Sequence, residues 1–380
     1  MLPANYRAIT YDEEGVCNYC RTYEELRPRL EDFGHLERLF QERIEGARGK
    51  AEYDALVGLS GGKDSSYLVY ALKEVYGLKI LTVTLENGFL TDFARESVKR
   101  VVESLGVDHF FYAPEWSIFR ECFRSTTRTW GLPCLACGQI GYGLLYKLAF
   151  DRGIPLAIHG RTRDQMFRDL TAGSKDPVIP CISSNLAPPA PENIKALGYS
   201  ILQQMDGFLN QVFTDQTLLA QAKREWTVGK DQFRNAARVP DWIAYFLYHP
   251  YDEEALKRTL EAHTGWQRPK DDIILGHYDC AIHDAAAYLC HHSLGFSLLA
   301  LELSTAVRMG EMTLDQAQTR LQEERCTQEY PGASMEVLQE RIGITAAEIE
   351  PIIREAHERH ERLRMELRKE NPVARSPLNI

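Results

Sequence analysis

The chain has 380 residues, 44% of them hydrophobic and 26% charged, and its 54 acidic against 44 basic side chains leave a net charge of −10. That length accommodates roughly two or three domains, and the composition excludes disordered, collagen-like and disulfide-scaffold chains. The acidic balance also disfavours a broad nucleic-acid-binding face, which takes surplus Lys and Arg.

Residues 1–50 form an N-terminal segment with Cys17-x-x-Cys20 and a charged helical stretch over Tyr23–Arg48. No apolar run there is long enough for a signal peptide, and nothing in the chain reaches the roughly 18 apolar residues of a membrane span. A cytoplasmic protein with reduced thiols and no membrane contact is expected. Residues 51–170 alternate strand with helix: Ala55–Leu59, Lys79–Leu85, His109–Ala113 and Ile154–His159 as strands, and Ser65–Tyr76, Asp92–Leu105 and Gln139–Asp151 as helices. Such alternation predicts an α/β fold with a doubly wound parallel sheet. Residues 171–250 read as an insertion or lid: Ser174–Ile194 carries five prolines and reads as a loop, and Asn193–Asn235 as helix. Residues 251–380 form a mostly helical C-terminal region. It includes Asp252–His263, Thr313–Glu324 with a Thr-x-x-Gln capping box, and Thr345–Lys369, where Glu348 follows Thr345 by three.

The densest local signal is Ala55-Leu-Val-Gly-Leu-Ser-Gly-Gly-Lys-Asp-Ser-Ser66. An apolar strand, a glycine pair and a helix start aim consecutive backbone N–H groups at one point, where the helix N-terminus adds positive potential. Gly61 and Gly62 admit an anion close to the backbone, and Ser60 and Ser65 add hydroxyls. Lys63 can neutralise phosphate, and Asp64 can hold Mg²⁺ on phosphate oxygens. The Walker spacing is absent. The alternative is a plain Gly-rich turn.

Ser60-Gly-Gly-Lys-Asp-Ser65 resembles the PP-loop of the ATP pyrophosphatase superfamily. That resemblance implies a PP-loop, HUP-like fold that cleaves ATP between the α- and β-phosphates and passes AMP to a carbonyl-type oxygen. A nucleophile then displaces the AMP. It also places adenosine at Thr84-Leu-Glu86-Asn87-Gly88, and ATP contacts at Glu86, Gly160 and Arg161. A turn after a strand explains Glu86 and Asn87 equally well.

The nine cysteines bear on the nucleophile. Thiols paired as Cys-x-x-Cys in a reducing compartment point to metal or redox chemistry. Pro133-Cys-Leu-Ala-Cys-Gly138 resembles the segment of PP-loop tRNA thiolation enzymes in which such a pair opens a helix. The resemblance implies a 4Fe–4S cluster on Cys134, Cys137 and a distant third cysteine, for which Cys280 in Gly276-His-Tyr-Asp-Cys-Ala-Ile-His283 is the candidate. The helix after Gly138 is expected to lower the pKa of the thiolates. A Zn²⁺ site completed by Cys17 and Cys20, and a redox pair at Cys134 and Cys137, stay open. Cys122, Cys290 and Cys326 read as small core residues, and Cys181 as a weaker ligand or persulfide carrier.

A second resemblance spans more of the chain. Tyr11-Asp-Glu-Glu-Gly-Val-Cys-Asn-Tyr-Cys20 and Val307-Arg-Met-Gly-Glu-Met-Thr-Leu-Asp-Gln-Ala317 are similar to N-acetyl sugar amidotransferases, which turn an activated sugar amide into an amidine with ammonia from a partner glutaminase. That family has a further Cys-x-x-Cys ahead of the first, whereas Met1–Tyr6 holds no cysteine.

Arg161, Arg163, Asp164 and Gln165 follow the fourth strand, where substrate contacts or a solvated connection are expected. His277, His283, His291 and His292 surround Cys280 in sequence, as an acid–base group, a ligand or surface histidines. His357 and His360 read as exposed on a solvated or subunit-packing terminal helix, so a homodimer is possible. The leading expectation is an adenylating sulfur transferase acting on a small-molecule acceptor with a separate sulfur donor, tRNA being disfavoured by the charge. Amidation through a glutaminase partner is the alternative, and a non-catalytic nucleotide- or metal-binding scaffold the other.

Overall fold

The computed structural model describes residues 2, 6, 9–167, 178–268 and 279–370. The start of the Pro-rich stretch and His277 lie outside the described residues. Five parallel strands form one sheet, in order β3-β2-β1-β4-β5: β1 Ala55–Gly58, β2 Ile80–Leu85, β3 Asp108–Tyr112, β4 Leu156–His159 and β5 Asp241–Ala244. In β1, Ala55, Leu56 and Val57 are fully buried, as a central strand covered by helices on both faces requires. The strand order runs outward both ways from β1, so the carboxyl ends of β1 and β4 diverge into a crevice.

The helices enter in chain order. α1 (Asn18–Leu30) and α2 (Phe33–Ala47) precede the sheet, and the predicted single stretch breaks at Asp32, whose carboxylate caps α2 by accepting from His35 N at 3.0 Å. α3 (Lys63–Tyr70) continues into a π-turn at Ala71–Val75. α4 (Asp92–Leu105) has Thr91 as its cap, with Thr91 Oγ1 accepting from Ala94 N at 3.2 Å. α5 (Trp116–Trp130) was not foreseen, and α6 (Pro133–Asp151) begins six residues before its predicted start. Proline is well suited to that first helical position, because its missing N–H would lack a partner there anyway. α7 (Arg163–Phe167) follows β4.

The Pro-rich stretch is a loop only in part, since α8 (Val178–Asn185) occupies its middle. α9 (Pro191–Val212), α10 (Gln216–Trp226) and α11 (Lys230–Asn235) follow, and then β5, which sequence periodicity missed. α12 (Tyr245–Tyr248) follows β5, and the C-terminal region is helical as expected: α13 (Glu253–His263), α14 (His283–Leu294), α15 (Leu298–Met309), α16 (Leu314–Gln322), α17 (Gly332–Ile342) and α18 (Ala346–Glu370). The capping box at Thr313 and Gln316 forms in both directions. α18 is not a free charged helix. Ile349, Ile352 and Ala356 are buried, and the helix packs on α5 and α14. Among the described residues, no helix is long and apolar enough to cross a membrane.

One buried ion pair ties α2 to the last strand. Arg43 on α2 pairs with Asp241 at the start of β5, and its guanidinium also donates to Ser184 O at 2.5 Å and Ala187 O at 2.8 Å, just past α8. Both side chains are almost wholly buried. Removing one partner leaves a buried charge without compensation, at a cost of about 3–5 kcal/mol. Arg43→Ala should therefore lower the urea-unfolding free energy of the full chain by that amount, and a loss below about 1 kcal/mol would show that the pair does not anchor β5.

Candidate functional site

The loop between β1 and α3 is held open by its own hydroxyls. Ser65 Oγ accepts from Ser60 N at 3.1 Å and lies 3.1 Å from Ser60 Oγ, which accepts from Gly62 N at 3.3 Å. Gly61 has φ +86°, and a Cβ there would stand 2.5 Å from Ala94 O. Ser97 Oγ donates to the Gly61 carbonyl at 2.8 Å and fixes the turn against α4. Gly62 caps α3, so the backbone N–H groups of its first turn, at Lys63, Asp64 and Ser65, lie at the helix end toward the crevice. Gly160, after β4, closes the other side: a Cβ there would meet Asp64 O at 3.4 Å. The six loop residues and Gly160 thus lie together at the crevice.

Lys63 and Asp64 form a polar knot. Lys63 Nζ donates to Asp64 Oδ2 at 2.9 Å, and Tyr251 OH donates to Asp64 Oδ1 at 2.7 Å. Burial opposes the Lys63 charge, but Asp64, Glu253 and Asp164 outweigh it and raise its pKa. Burial pushes Asp164 up to about 6, with Glu302 and Asp64 adding to it. Tyr251 was not found from sequence; an isolated aromatic far along the chain carries no local signal.

Glu86, at the end of β2, is paired with Arg95 of α4. Arg161 lines the crevice and donates to Gln165 O at 2.7 Å. Arg163 corrects the expectation of a substrate contact: it is 1% exposed and donates to Leu30 O at 3.0 Å and Leu247 O at 3.3 Å, between the rings of Phe33 and Phe167. It is a structural cation.

Cys134, Cys137 and Cys280 open on the same cavity as the phosphate loop. Cys280 forms an antiparallel bridge with Leu90, flanked by Ala281 N to Phe89 O at 2.8 Å and Thr91 N to Asp279 O at 3.2 Å. Asn87 Nδ2 donates to Cys137 Sγ at 3.4 Å. Cys134 is solvent-accessible yet enclosed by protein, because it faces the cavity. The expected lowering of the thiol pKa values is reversed. Burial raises all three; neighbouring thiols add to it at Cys134 and Cys280 and Asp279 at all three, while the Asn87 hydrogen bond opposes it at Cys137. The helix dipole is too small an effect to offset this desolvation. The structure also adds a thiol that sequence reading assigned to the core: Cys290 of α14 is buried but lines the cavity beside Cys134.

Cys17 and Cys20 stand apart from this cavity. Asp12 Oδ1 accepts from Glu14 N and Val16 N, folding the Tyr11–Cys17 motif into a turn that leads into α1. The two sulfurs lie 3.5 Å apart, and Cys17 packs with Tyr6, Tyr19 and Phe296. The Cys20 contact, aided by Arg308, lowers the Cys17 pKa to about 5. Among the described residues no three His, Cys, Asp or Glu side chains are grouped as a metal site, and Cys17 and Cys20 do not line the cavity that Cys134 and Cys137 face. Cys122 and Cys326 are buried, as expected of core residues. Cys181 lies on α8 rather than in a loop, buried against the cavity wall. His283 lies in the cavity wall 3.0 Å from Asp284 Oδ1, and His360 is packed with Nε2 2.8 Å from Trp130 O rather than exposed.

No protein-family model matches the chain. It is 30% identical over 170 residues to a tRNA-cytidine(32) 2-sulfurtransferase of Dinoroseobacter shibae, covering 42% of this chain and 55% of that protein. A tRNA-cytidine(32) 2-sulfurtransferase of Sinorhizobium medicae is 27% identical over 151 residues, covering 38% and 46%. An uncharacterised protein of Methanocaldococcus jannaschii is 25% identical over 156 residues, covering 40% and 54%. The chain therefore spans about half the length of the curated relatives it matches. Among solved structures, the U34-tRNA thiolase NcsA of Methanococcus maripaludis, with its 4Fe–4S cluster, aligns over 82% of this chain and 78% of its own at 15% identity and a TM-score of 0.32. The resemblance to N-acetyl sugar amidotransferases rests on the sequence motifs alone.

Two predictions follow from this geometry. Gly61→Ala forces a Cβ against a backbone oxygen at a positive φ, so ATP affinity measured by calorimetry should fall at least ~10-fold, about 1.4 kcal/mol; unchanged affinity would dissociate the loop from ATP. Asp164 titrates near 6 in the folded chain against its ordinary 3.8. The folded state then holds the extra proton, so stability falls as pH rises from about 4 through 6. Asp164→Asn should flatten the melting-temperature profile over that window, and a profile like that of the native chain would contradict the shift.

Proposed function

We propose that the protein is an ATP-dependent sulfur transferase that adenylates a carbonyl-type oxygen and replaces it with sulfur. The observation that supports this most is the shared cavity: the phosphate loop and three thiols from two distant segments open into one space of about 1980 Å³. Ligand pockets commonly measure about 300–1,000 Å³, so this one has room for ATP and a second substrate together.

In this reading the N–H groups of the Gly61–Ser65 turn and α3 cradle the phosphates, and Lys63 stabilises charge on the departing pyrophosphate. Asp64, turned into the crevice by Tyr251, would hold Mg²⁺ between phosphate oxygens. Glu86 and its partner Arg95 flank the adenosine side, and Gly160 and Arg161 the other. The acceptor's oxygen attacks the α-phosphorus and pyrophosphate leaves. Hydrosulfide then adds to the activated carbon, and AMP departs with the oxygen, leaving C=S.

The donor set fits a 4Fe–4S cluster. Three soft thiols face one cavity, the ligand chemistry that such clusters take. Such a cluster would supply one iron free of protein ligands for hydrosulfide. Cys134, Cys137 and Cys280 would hold it, and Asn87 would orient Cys137 by its N–H···S contact.

The relatives reverse the order of acceptors drawn from net charge. Both sulfurtransferases are named for tRNA, so a tRNA base, whose ring carbonyl is amide- or urea-like, is the first acceptor, ahead of a free small molecule. The experiment is anaerobic incubation of the purified chain with ATP, sulfide and unmodified tRNA, followed by nucleoside mass spectrometry and assay of AMP and pyrophosphate. A thionucleoside formed in step with AMP is expected. Lys63→Ala should abolish both products, and Cys280→Ser should abolish thiolation and the cluster's visible absorption while sparing ATP binding. Turnover with ammonium but not sulfide, by a colourless protein, would replace this reading with amidation. ATP bound with no acceptor-dependent pyrophosphate would leave a scaffold.

A further inference from the structure

The thiol-bearing helix carries a second feature that the reaction steps above do not use. Cys134, Gly138 and Tyr142 are spaced by four, so they lie along one face of α6. At about 1.5 Å per residue, Tyr142 stands about 12 Å from Cys134 along the axis, with Gly138 midway. All three line the cavity. A Cβ on Gly138 would meet nothing within 4 Å, so the helix is bare between the thiol and the tyrosine.

Tyr142 is unusual for an aromatic ring inside a cavity, being 38% exposed. Its orientation is nevertheless fixed. The His159 ring lies 5.2 Å away at 62°, and the Trp242 ring 5.9 Å away at 89°. His159 and Trp242 support one another at 4.9 Å. These edge contacts brace the tyrosine from the carboxyl end of β4 and from within β5, across the crevice from the Glu86 side. Burial, with Arg161 nearby, holds His159 down to about 3, so the shelf is uncharged there. Leu197, Ile201 and Met205 continue the wall.

We infer that this groove is the acceptor subsite: the acceptor's reacting part is a planar heteroaromatic ring, a nucleobase, stacked on Tyr142 and lying over Gly138 with its carbonyl toward Cys134 and Cys137. A flat ring suits the gap that glycine leaves, and an aromatic platform binds any base through its π-face without hydrogen-bond readout. The bare helix face then sets the distance from platform to thiols. A hydroxyl-rich sugar would find mainly apolar and aromatic neighbours here. This inference rests on the sulfur-transfer reading for its chemistry, but not for its test.

The test is a binding measurement on the full-length chain, saturated with a non-hydrolysable ATP analogue so that the nucleotide site is filled. Saturation-transfer NMR reports cytidine and uridine, with N-acetylglucosamine as the competing class. Nucleoside binding is expected in the native chain and in Tyr142→Phe, and should weaken at least ~10-fold in Tyr142→Ala and in Gly138→Leu, whose side chain fills the groove. Affinity for the ATP analogue should be unchanged in Tyr142→Ala. Equal nucleoside binding in all four proteins, or binding of N-acetylglucosamine in place of the nucleosides, overturns the inference. Because the readout is binding, a groove that holds bases in a chain that thiolates nothing would sink the sulfur-transfer reading and leave the groove standing.

Discussion

The arrangement of the site depends on a short backbone pairing between the loop after β2 and the segment ahead of α14. Phe89 and Thr91 exchange hydrogen bonds with Ala281 and Asp279, and Leu90 faces Cys280 across the bridge. The pairing joins residues some 190 positions apart, yet closure entropy grows only with the logarithm of loop length, so a few bonds and the packing around them suffice. Ser334 secures the far side, accepting from Ala285 N at 3.1 Å and donating to Ala281 O at 3.0 Å. Position 280 is therefore placed by main-chain bonds. A cysteine is not needed to build the bridge, which leaves the thiol available for chemistry.

The same pairing explains how the helical C-terminal region meets the sheet. The sheet's strand order opens a crevice where β1 and β4 diverge, and the phosphate loop and Gly160 occupy its two lips. A crevice on an open α/β sheet is shallow by itself. α14 and α15, brought in behind Cys280, roof it, and the enclosed volume becomes large enough for two substrates. A crevice at a topological switch point is thus deepened into a cavity through one long-range contact.

What the sequence displayed, and what it concealed, follows from the range of each interaction. The phosphate loop was legible because its determinants sit within six residues: a strand end, two glycines, a lysine, an aspartate and a helix start. The four strands and three helices read over 51–170 and the Thr313 capping box are equally local. Arg163 was misread because its neighbours in sequence are polar, whereas its partners, Leu30 O and Leu247 O, come from α1 and α12. His360 was read as solvent-facing from its charged helix, but that helix presents Ile349, Ile352 and Ala356 to the core and carries the histidine inward. The start of α6 was set too late because Gly138 looked like a boundary; Pro133 marks it. Strand β5 is buried along its whole length and runs directly into α12, so neither alternation nor a turn signal sets it off in the sequence.

The cavity also holds two kinds of environment, which suit the two steps of the proposed reaction. Around Lys63 and Asp64 the walls are polar, and the carboxylates of Glu253 and Asp164 keep the lysine charged despite its burial. Around Cys134 and Cys137 the balance is opposite: burial and Asp279 hold the thiols neutral in the polypeptide alone. A thiolate there needs positive charge brought to it, which is what binding iron does. On the proposed function, the polar end can stabilise a leaving pyrophosphate, and the thiol end supplies the group that displaces the activated oxygen. α6 carries the thiols as a rigid element rather than a loop, so the spacing from Cys134 to Tyr142 is set by helix geometry and does not drift with solvent. An acceptor that satisfies that spacing meets activation and displacement without leaving its seat, and that economy is the physical case for placing both steps in one cavity.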